Sequence, residues 1–352
     1  MSYISNYVDC PNLQAQINGF FGCDKSVFLK QNETSLAQFL MSPANTNNSL
    51  AQNVSPGEGK YKNIELVYTP RIRTQDVGTT IIDTCVASTP YGNRSKLYTI
   101  DPAVGVYEER YVDPVELRTA CASNTGFVQG MLLNMMNAAI RKMDAVLANQ
   151  IVLLAGTFGE GETGVTSGVK TVRTRRSASD SGLSDNFISE IDFAAENAGY
   201  CGSPVVFGYN EIWKAAKELR ASCCSDSGIN VALLSEITGI NFIANRNVPA
   251  ALTAAGKTAE FITLDPGAVQ ILSYLRYAGE LNMIDTEIYK QMSITDPGTG
   301  ISFDLRVQMD CGKWHFFLSK AFKAVGVPDD QFYDGDIYDG TTGVNLYHVS
   351  NT

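Results

Sequence analysis

The run "FVQGMLLNMMNAAIRKMDAVLANQIVLLAG", Phe127 to Gly156, constrains the fold of this chain more than any other stretch. Asn134, Asn137, Arg141 and Asp144 fall at i, i+3, i+7 and i+10 and draw a narrow polar stripe along a helix. Leu, Met, Ile, Val and Ala cover most of the remaining circumference, so such a helix must be packed on most of its sides. At 1.5 Å per residue it spans roughly 43 Å. The fold must therefore wrap a long spine. Its four methionines read as core filler rather than as a ligand groove, and Gly156 is expected at the C′ position. Arg141, Lys142 and Asp144 break the run well short of the roughly 18 apolar residues of a membrane span.

What precedes the spine is of a different kind. Residues 1–57 are rich in Asn, Gln and Ser and end in "SPANTNNSLAQNVSPGEGK". They read as an extended arm with one short helix near "ETSLAQFLM", either disordered or held down by something else. From Tyr61 the pattern turns to strands, with Ile64, Leu66 and Tyr68 alternating with Glu65, Val67 and Thr69. Further β-rich runs follow at "TTIIDTCVAS", "KLYTI" and "VGVYEERYV", separated by turn signals at 89–93 and at Asp101-Pro102. This describes a long hairpin with a polar, basic centre at Arg71, Arg73, Arg94 and Lys96, and with few apolar residues to anchor it on its own domain.

After the spine, the glycine- and serine-rich bridge "GTFGEGETGVTSGVKTVRTRRSASDSGLSD" leads to a region, about 186 to 285, that alternates helices and buried strands. "NFISEIDFAAENAGY" is predicted as a helix and "PVVFGY" as a strand. "NEIWKAAKELRAS" is predicted as a helix capped by Asn210, and "GINFIAN" and "AEFITL" as strands. "DPGAVQILSYL" is predicted as a helix with Asp265 as N-cap and Pro266 at its first position. The chain then returns to strands. Phe303, Leu305, Val307 and Met309 alternate with polar residues, as do Trp314, Phe316 and Leu318.

Between those last two runs lies Asp310-Cys311-Gly312-Lys313, with His315 close behind. A thiol, an imidazole and a carboxylate are the parts of a thiol nucleophile. The period-2 pattern explains the same residues as a hairpin tip with glycine where a positive φ is needed, and nothing there depresses the thiol pKa. Other chemical signals are equally plain. Gly256-Lys257-Thr258 has Ala251 where a phosphate-binding loop needs glycine. Asp330, Asp334, Asp336 and Asp339 do not follow the calcium-loop spacing and read as a solvated acidic tail. Lys170, Arg173, Arg175 and Arg176 form the one basic cluster and read as a solvated loop.

Composition narrows the function classes. Twenty-seven basic against 37 acidic residues give a net charge of −10, opposite to a protein that grips nucleic acid by neutralising phosphates. Eight cysteines include no zinc-type spacing and read as reduced thiols. No basic n-region followed by an apolar run opens the sequence. A length of 352 residues gives a prior of roughly two domains at about 150 residues each.

The order of arm, long hairpin, spine helix ending in "LAG", glycine-rich bridge, α/β domain and returning strands resembles the major capsid proteins of tailed bacteriophages, the Hong Kong-97-type fold. The resemblance is carried by "DAVLANQIVLLAGTF", by "PVVFGYNEIWKAAKEL…LLSEITGINFIANRNVP" and by "EFITLDPGAVQIL…ISFDLRVQMDCGKWHFFLSKAFKAV". It implies an α+β, Hong Kong-97-like fold with an arm over 1–57, an extended hairpin loop over 58–113 and a peripheral domain over 114–185 and 290–328. An axial domain over 186–289 and a C-terminal tail over 329–352 complete it. It also implies a non-enzymatic shell protein without cofactor or metal, found in the virion and assembled in the bacterial cytoplasm. Its copies would form hexamers and pentamers of an icosahedral shell. Scaffolding, portal and decoration proteins are its expected partners, and packaged double-stranded DNA is held by weak, non-specific contact. Tyr61, Arg71, Arg73, Arg94, Lys96 and Arg110 are the candidate contacts between subunits, with Lys62 or Lys96 as candidates for a covalent cross-link. Residues 1–57 are too short for a fused scaffolding segment, so a separate scaffold, or none, is implied. The alternatives are an encapsulin-type compartment shell, a tail or other virion protein and, in a different class, an α/β thiol enzyme using Cys311.

Overall fold

A computed structural model describes residues 15, 17, 36–42, 63–68, 94–113, 124–156, 165–166, 169–173, 187–197, 200, 202–208, 239–277, 283–326 and 343–350. Tyr61, Lys62, Arg71 and Arg73, the helix expected after Asn210, the strand expected at "TTIIDTCVAS" and the acidic run 329–342 lie outside the described residues.

The spine is helix α2, Asn124–Leu153, about 45 Å long at 1.5 Å per residue. Met135, Met136 and Met143 are buried, as are Leu132, Leu133, Ile140, Leu147 and Ile151, so the methionines are core filler. The polar stripe divides: Asn134 and Arg141 are exposed, whereas Asp144 is buried. The helix also stops earlier than expected. Leu154 N–H already donates to the Ile151 carbonyl at 2.9 Å in a tightened last turn. Gly156, instead of capping the helix at positive φ, is buried and donates to the Val344 carbonyl at 3.0 Å.

Two six-stranded sheets flank this spine. The first is built on the long strand β13, Lys313–Gly326. On one side β13 pairs with β12 (Ser302–Asp310), which continues to β11 (Tyr289–Thr295) and β10 (Ile284–Asp285). On its other side β3 (Gly105–Val112) pairs with the first half of β13 and β9 (Val269–Tyr274) with the second, and both meet at Ala321. The Asp310-Cys311-Gly312-Lys313 stretch is the two-residue hairpin between β12 and β13, with φ of 50° at Cys311 and 77° at Gly312. Positive φ at both central residues is the turn geometry that matches strand twist.

The second sheet runs β4 (Val165–Thr166), β5 (Val169–Arg173), β14 (Val344–Ser350), β8 (Phe261–Leu264), β6 (Val205–Gly208), β7 (Asn241–Ala244). Three expectations are corrected here. Val344–Ser350 is a central strand, parallel to β5 and antiparallel to β8, not part of a tail. Lys170 is buried in β5, so the first part of the basic cluster is a strand and not a loop. And "DPGAVQILSYL" is not a helix: Gly267 at φ 91° and a turn closed by Ala268 N–H to the Asp265 carbonyl (2.9 Å) lead into β9, which is buried on both faces.

Short helices close the layers. Helix α1 (Leu36–Leu40) lies on the spine and against β9, and α4 (Asn247–Ala254), unforeseen in the sequence, packs between the spine and β6 and β8. Helix α3 (Phe187–Asn197) packs on β5. One continuous apolar cluster joins α1, the spine, α4 and both sheets. The hairpin of β1 (Asn63–Tyr68) with β2 (Arg94–Thr99) forms a separate two-stranded ribbon. Among the described residues its base is tied down: Tyr98 and Ile100 pack on Ala268, Leu272, Ala321 and Val325, and Tyr98 donates to the Gly326 carbonyl at 2.8 Å. The Asp101-Pro102 turn then reverses the chain into β3.

Candidate inter-subunit surface

Strand alternation sends Trp314, Phe316 and Leu318 of β13 and Val106 and Val112 of β3 toward the spine, where they are buried. The alternate residues face away from it, and the register sets them in rows across the sheet. Gln308, His315 and Tyr111 stand abreast, then Arg306, Phe317 and Glu109, then Asp304, Ser319 and Tyr107.

This open face is aromatic and charged. Tyr107 and Tyr111 are 58% and 60% exposed. Ring centroids lie 6.1 Å apart for Tyr107–Phe317, 6.0 Å for His315–Phe317 and 6.1 Å for Tyr111–His315. The Arg306 guanidinium sits 4.3 Å from the Phe317 centroid and the Lys313 ammonium 4.4 Å from that of Tyr111, both within cation–π range.

Hydrogen bonds order the face. Tyr107 donates to Glu109 Oε2 at 3.0 Å, and His315 Nδ1 lies 3.0 Å from Glu109 Oε1. The hydrogen bond from His315, reinforced by that from Tyr107, holds the Glu109 carboxyl below the usual carboxylate range. Desolvation, reinforced by its bond to Glu109, pushes the Tyr107 phenol up to about 12. Asp304 accepts the backbone N–H groups of Arg276 (2.7 Å) and Tyr277 (2.9 Å) and the Ser293 hydroxyl (3.2 Å). Burial nevertheless raises its carboxyl. His315 is engaged by Glu109 through Nδ1, and Cys311 is exposed at the hairpin tip.

Of the six residues expected to touch a neighbour, three are described. Arg94 pairs with Tyr68 at the outer end of the ribbon. Lys96 is exposed beside Leu97, which is 63% exposed, and its ammonium lies 5.6 Å from the Tyr98 ring. Arg110 is on β3, ion-paired to Glu108 at 2.5 Å. It borders a groove of about 490 Å³ between β3 and the spine, lined by Phe127, Met131 and Asn134. The aromatic face was not foreseen, although its signal is in the sequence: Tyr107, Tyr111, His315 and Phe317 occupy the phase of their strands that should be polar. Among the described residues no three His, Cys, Asp or Glu side chains gather to hold a metal. None of the described helices is long and apolar enough to cross a membrane.

This is the mixed α+β fold of phage major capsid proteins, the fold class expected from the element order. The particular likeness that carries it is to the cyanophage A-1(L) capsid asymmetric unit, at a TM-score of 0.50 and 14% identity over 92% of this chain and 96% of that one. The capsid structure of cyanophage P-SCSP1u aligns at a TM-score of 0.48 and 10% identity over 93% and 91% of the two chains. A Gordonia phage Cozz structure aligns at 0.45 and 15% over 93% and 90%. No family model matches the chain, and no curated protein matches it by sequence.

Proposed function

We propose that this chain is a major capsid protein, a non-enzymatic structural subunit that self-assembles into hexamers and pentamers of an icosahedral shell around double-stranded DNA. The observation that carries the reading is the capsid fold, aligned over 92% of the chain. Surfaces exposed among the described residues support it: the ribbon with Leu97 at 63% exposure, and an apolar groove beside Arg110.

In this reading the spine with β12 and β13 belongs to the peripheral domain over 114–185 and 290–328, and β6, β7 and β8 belong to the axial domain over 186–289. The ribbon lies over a neighbouring subunit, with Tyr61, Arg71, Arg73, Arg94, Lys96 and Arg110 setting register against its carboxylates rather than strength. Many modest contacts per subunit add up to a stable closed shell. The net charge of −10 suits a container that holds DNA without gripping it. Scaffolding, portal and decoration proteins are its partners, the virion is its location, and assembly takes place in the bacterial cytoplasm. Electron microscopy and sedimentation of the expressed full chain, with and without a scaffolding protein, test this. Closed shells or rings of five and six are expected; a strictly monomeric chain under every condition overturns it.

A further inference from the structure

Arg306 stands in the middle of the open face with its Nε buried and without a hydrogen-bond partner. Beside it a pocket of about 280 Å³ is bounded by Tyr107, Arg276, Tyr277 and Phe317. The carboxylates of the same face are already engaged: Asp304 by two backbone N–H groups and Ser293, Glu109 by Tyr107 and His315. Among the described residues neither Arg306 nor Arg276 has an ion-pair partner. The face thus offers the Arg306 guanidinium, the remaining donors of Arg276, whose Nη2 donates to the Pro102 carbonyl at 2.6 Å, and an aromatic wall to an incoming carboxylate.

The complementary surface is on α3. Ile191, Ala194 and Ala195 of that helix are buried, while Asp192, Phe193 and Glu196 point outward, with Phe193 62% exposed. Asp192 and Glu196 are four apart and Phe193 and Glu196 three apart, so the three form one patch. Among the described residues the two carboxylates have no ion-pair partner. Helix α3 packs on β5 of the second sheet, so within one subunit it belongs to a different layer from the open face.

We propose that α3 of one subunit seats on the open face of the next, with Asp192 and Glu196 meeting Arg276 and Arg306 and with Phe193 against Tyr107 and Phe317. The two patches differ in chemistry, so the contact is head-to-tail, the kind that closes into rings. This inference rests on the shell reading and names one of the contacts that reading requires.

Charge reversal of the full chain tests it. Arg276→Glu with Arg306→Glu, and separately Asp192→Lys with Glu196→Lys, are each expected to raise the concentration needed for assembly by about tenfold or more. The second pair lies on exposed helix positions and leaves the fold intact by circular dichroism. Mixing the two variant chains restores opposite charge at every contact of an alternating ring. Six-membered rings are then expected from the mixture and five-membered ones are not. A helix variant that assembles at the parental concentration, or a mixture that stays dissociated where the parent assembles, overturns the proposed pairing. A parent chain that never assembles overturns the shell reading itself.

Discussion

Asp144, buried in the polar stripe of the spine, accepts the backbone N–H of Ala37 at 3.0 Å through Oδ1. An aspartate from the longest helix thus satisfies a first-turn donor of α1, 107 residues earlier in the chain. Around that bond Leu36, Ala37, Phe39 and Leu40 are buried, and Phe39 meets Phe207 of the second sheet edge-on at 5.1 Å. The arm expected to need an outside partner is, over residues 36–40, held by its own subunit.

Asp144→Ala is expected to cost about 1–3 kcal/mol, since it strands a buried donor. Asp144→Asn keeps an acceptor and costs less. Hydrogen exchange at Ala37 distinguishes them: the amide loses protection in the alanine variant first.

Gly105 allows β3 to approach β13 closely. A Cβ at this position would fall 2.0 Å from the Lys320 carbonyl oxygen and 2.9 Å from the Ala321 Cα. These are backbone atoms and cannot rotate away. Gly105→Ala is expected to destabilise the unassembled subunit by about 3 kcal/mol in denaturant unfolding, while Gly300→Ala, where a Cβ meets open space at φ 74°, costs only the local backbone strain, about 1 kcal/mol.

Cys311 carries φ of 50° without the freedom of glycine or the tolerance of asparagine. Cys311→Asn creates the Asn-Gly pair such turns favour and is expected to stabilise the subunit by roughly 0.5–1 kcal/mol. Cys311→Ser is expected to leave assembly unchanged. Assembly lost with the thiol would contradict that, and a catalytic turnover lost with it would favour the thiol-enzyme alternative.

Tyr107 is expected to release its phenolic proton late, near pH 12, against about 10 in the unfolded chain. A raised folded value means that its contribution to stability is complete below about pH 10 and is lost as pH climbs through about 12. Phenolate absorbance during alkaline titration reports it, and Tyr107→Phe removes the step near pH 12. In the other direction, His315→Ala should let the Glu109 carboxyl rise toward its ordinary value, visible in carboxyl carbon NMR.

Leu97→Asp, at a position 63% exposed on the ribbon, is expected to change subunit stability by less than about 0.5 kcal/mol yet to impair assembly. Sedimentation set against thermal unfolding separates the two effects.

Much of this architecture was legible before any coordinate. The spine announced itself because helical periodicity over 30 residues leaves no rival. The strands β12 and β13 alternated cleanly because one face is packed and the other open. Where both faces are buried, that signal vanishes. β9 reads "VQILSY", an apolar run in which period tells nothing, and the Asp265-Pro266 signal prevailed wrongly in the reading. β14 was invisible for another reason. Its partners, β5 and β8, lie about 175 and 80 residues away in register, and no local pattern encodes a pairing at that range. For the candidate site, basic residues on the ribbon were picked by charge, whereas the aromatic rows take shape when register places Tyr111 opposite His315.

Strand β14 sits in the middle of its sheet, between β5 and β8. A ribosome delivers both neighbours long before it delivers the strand that joins them. Until residue 350 is out, β5 and β8 have an empty lane between them, and a loop of that span closes slowly. A half-made chain therefore lacks a finished second sheet, which stays open until residue 350 has been made. Crowded polysomes are where premature clumping would do the most harm.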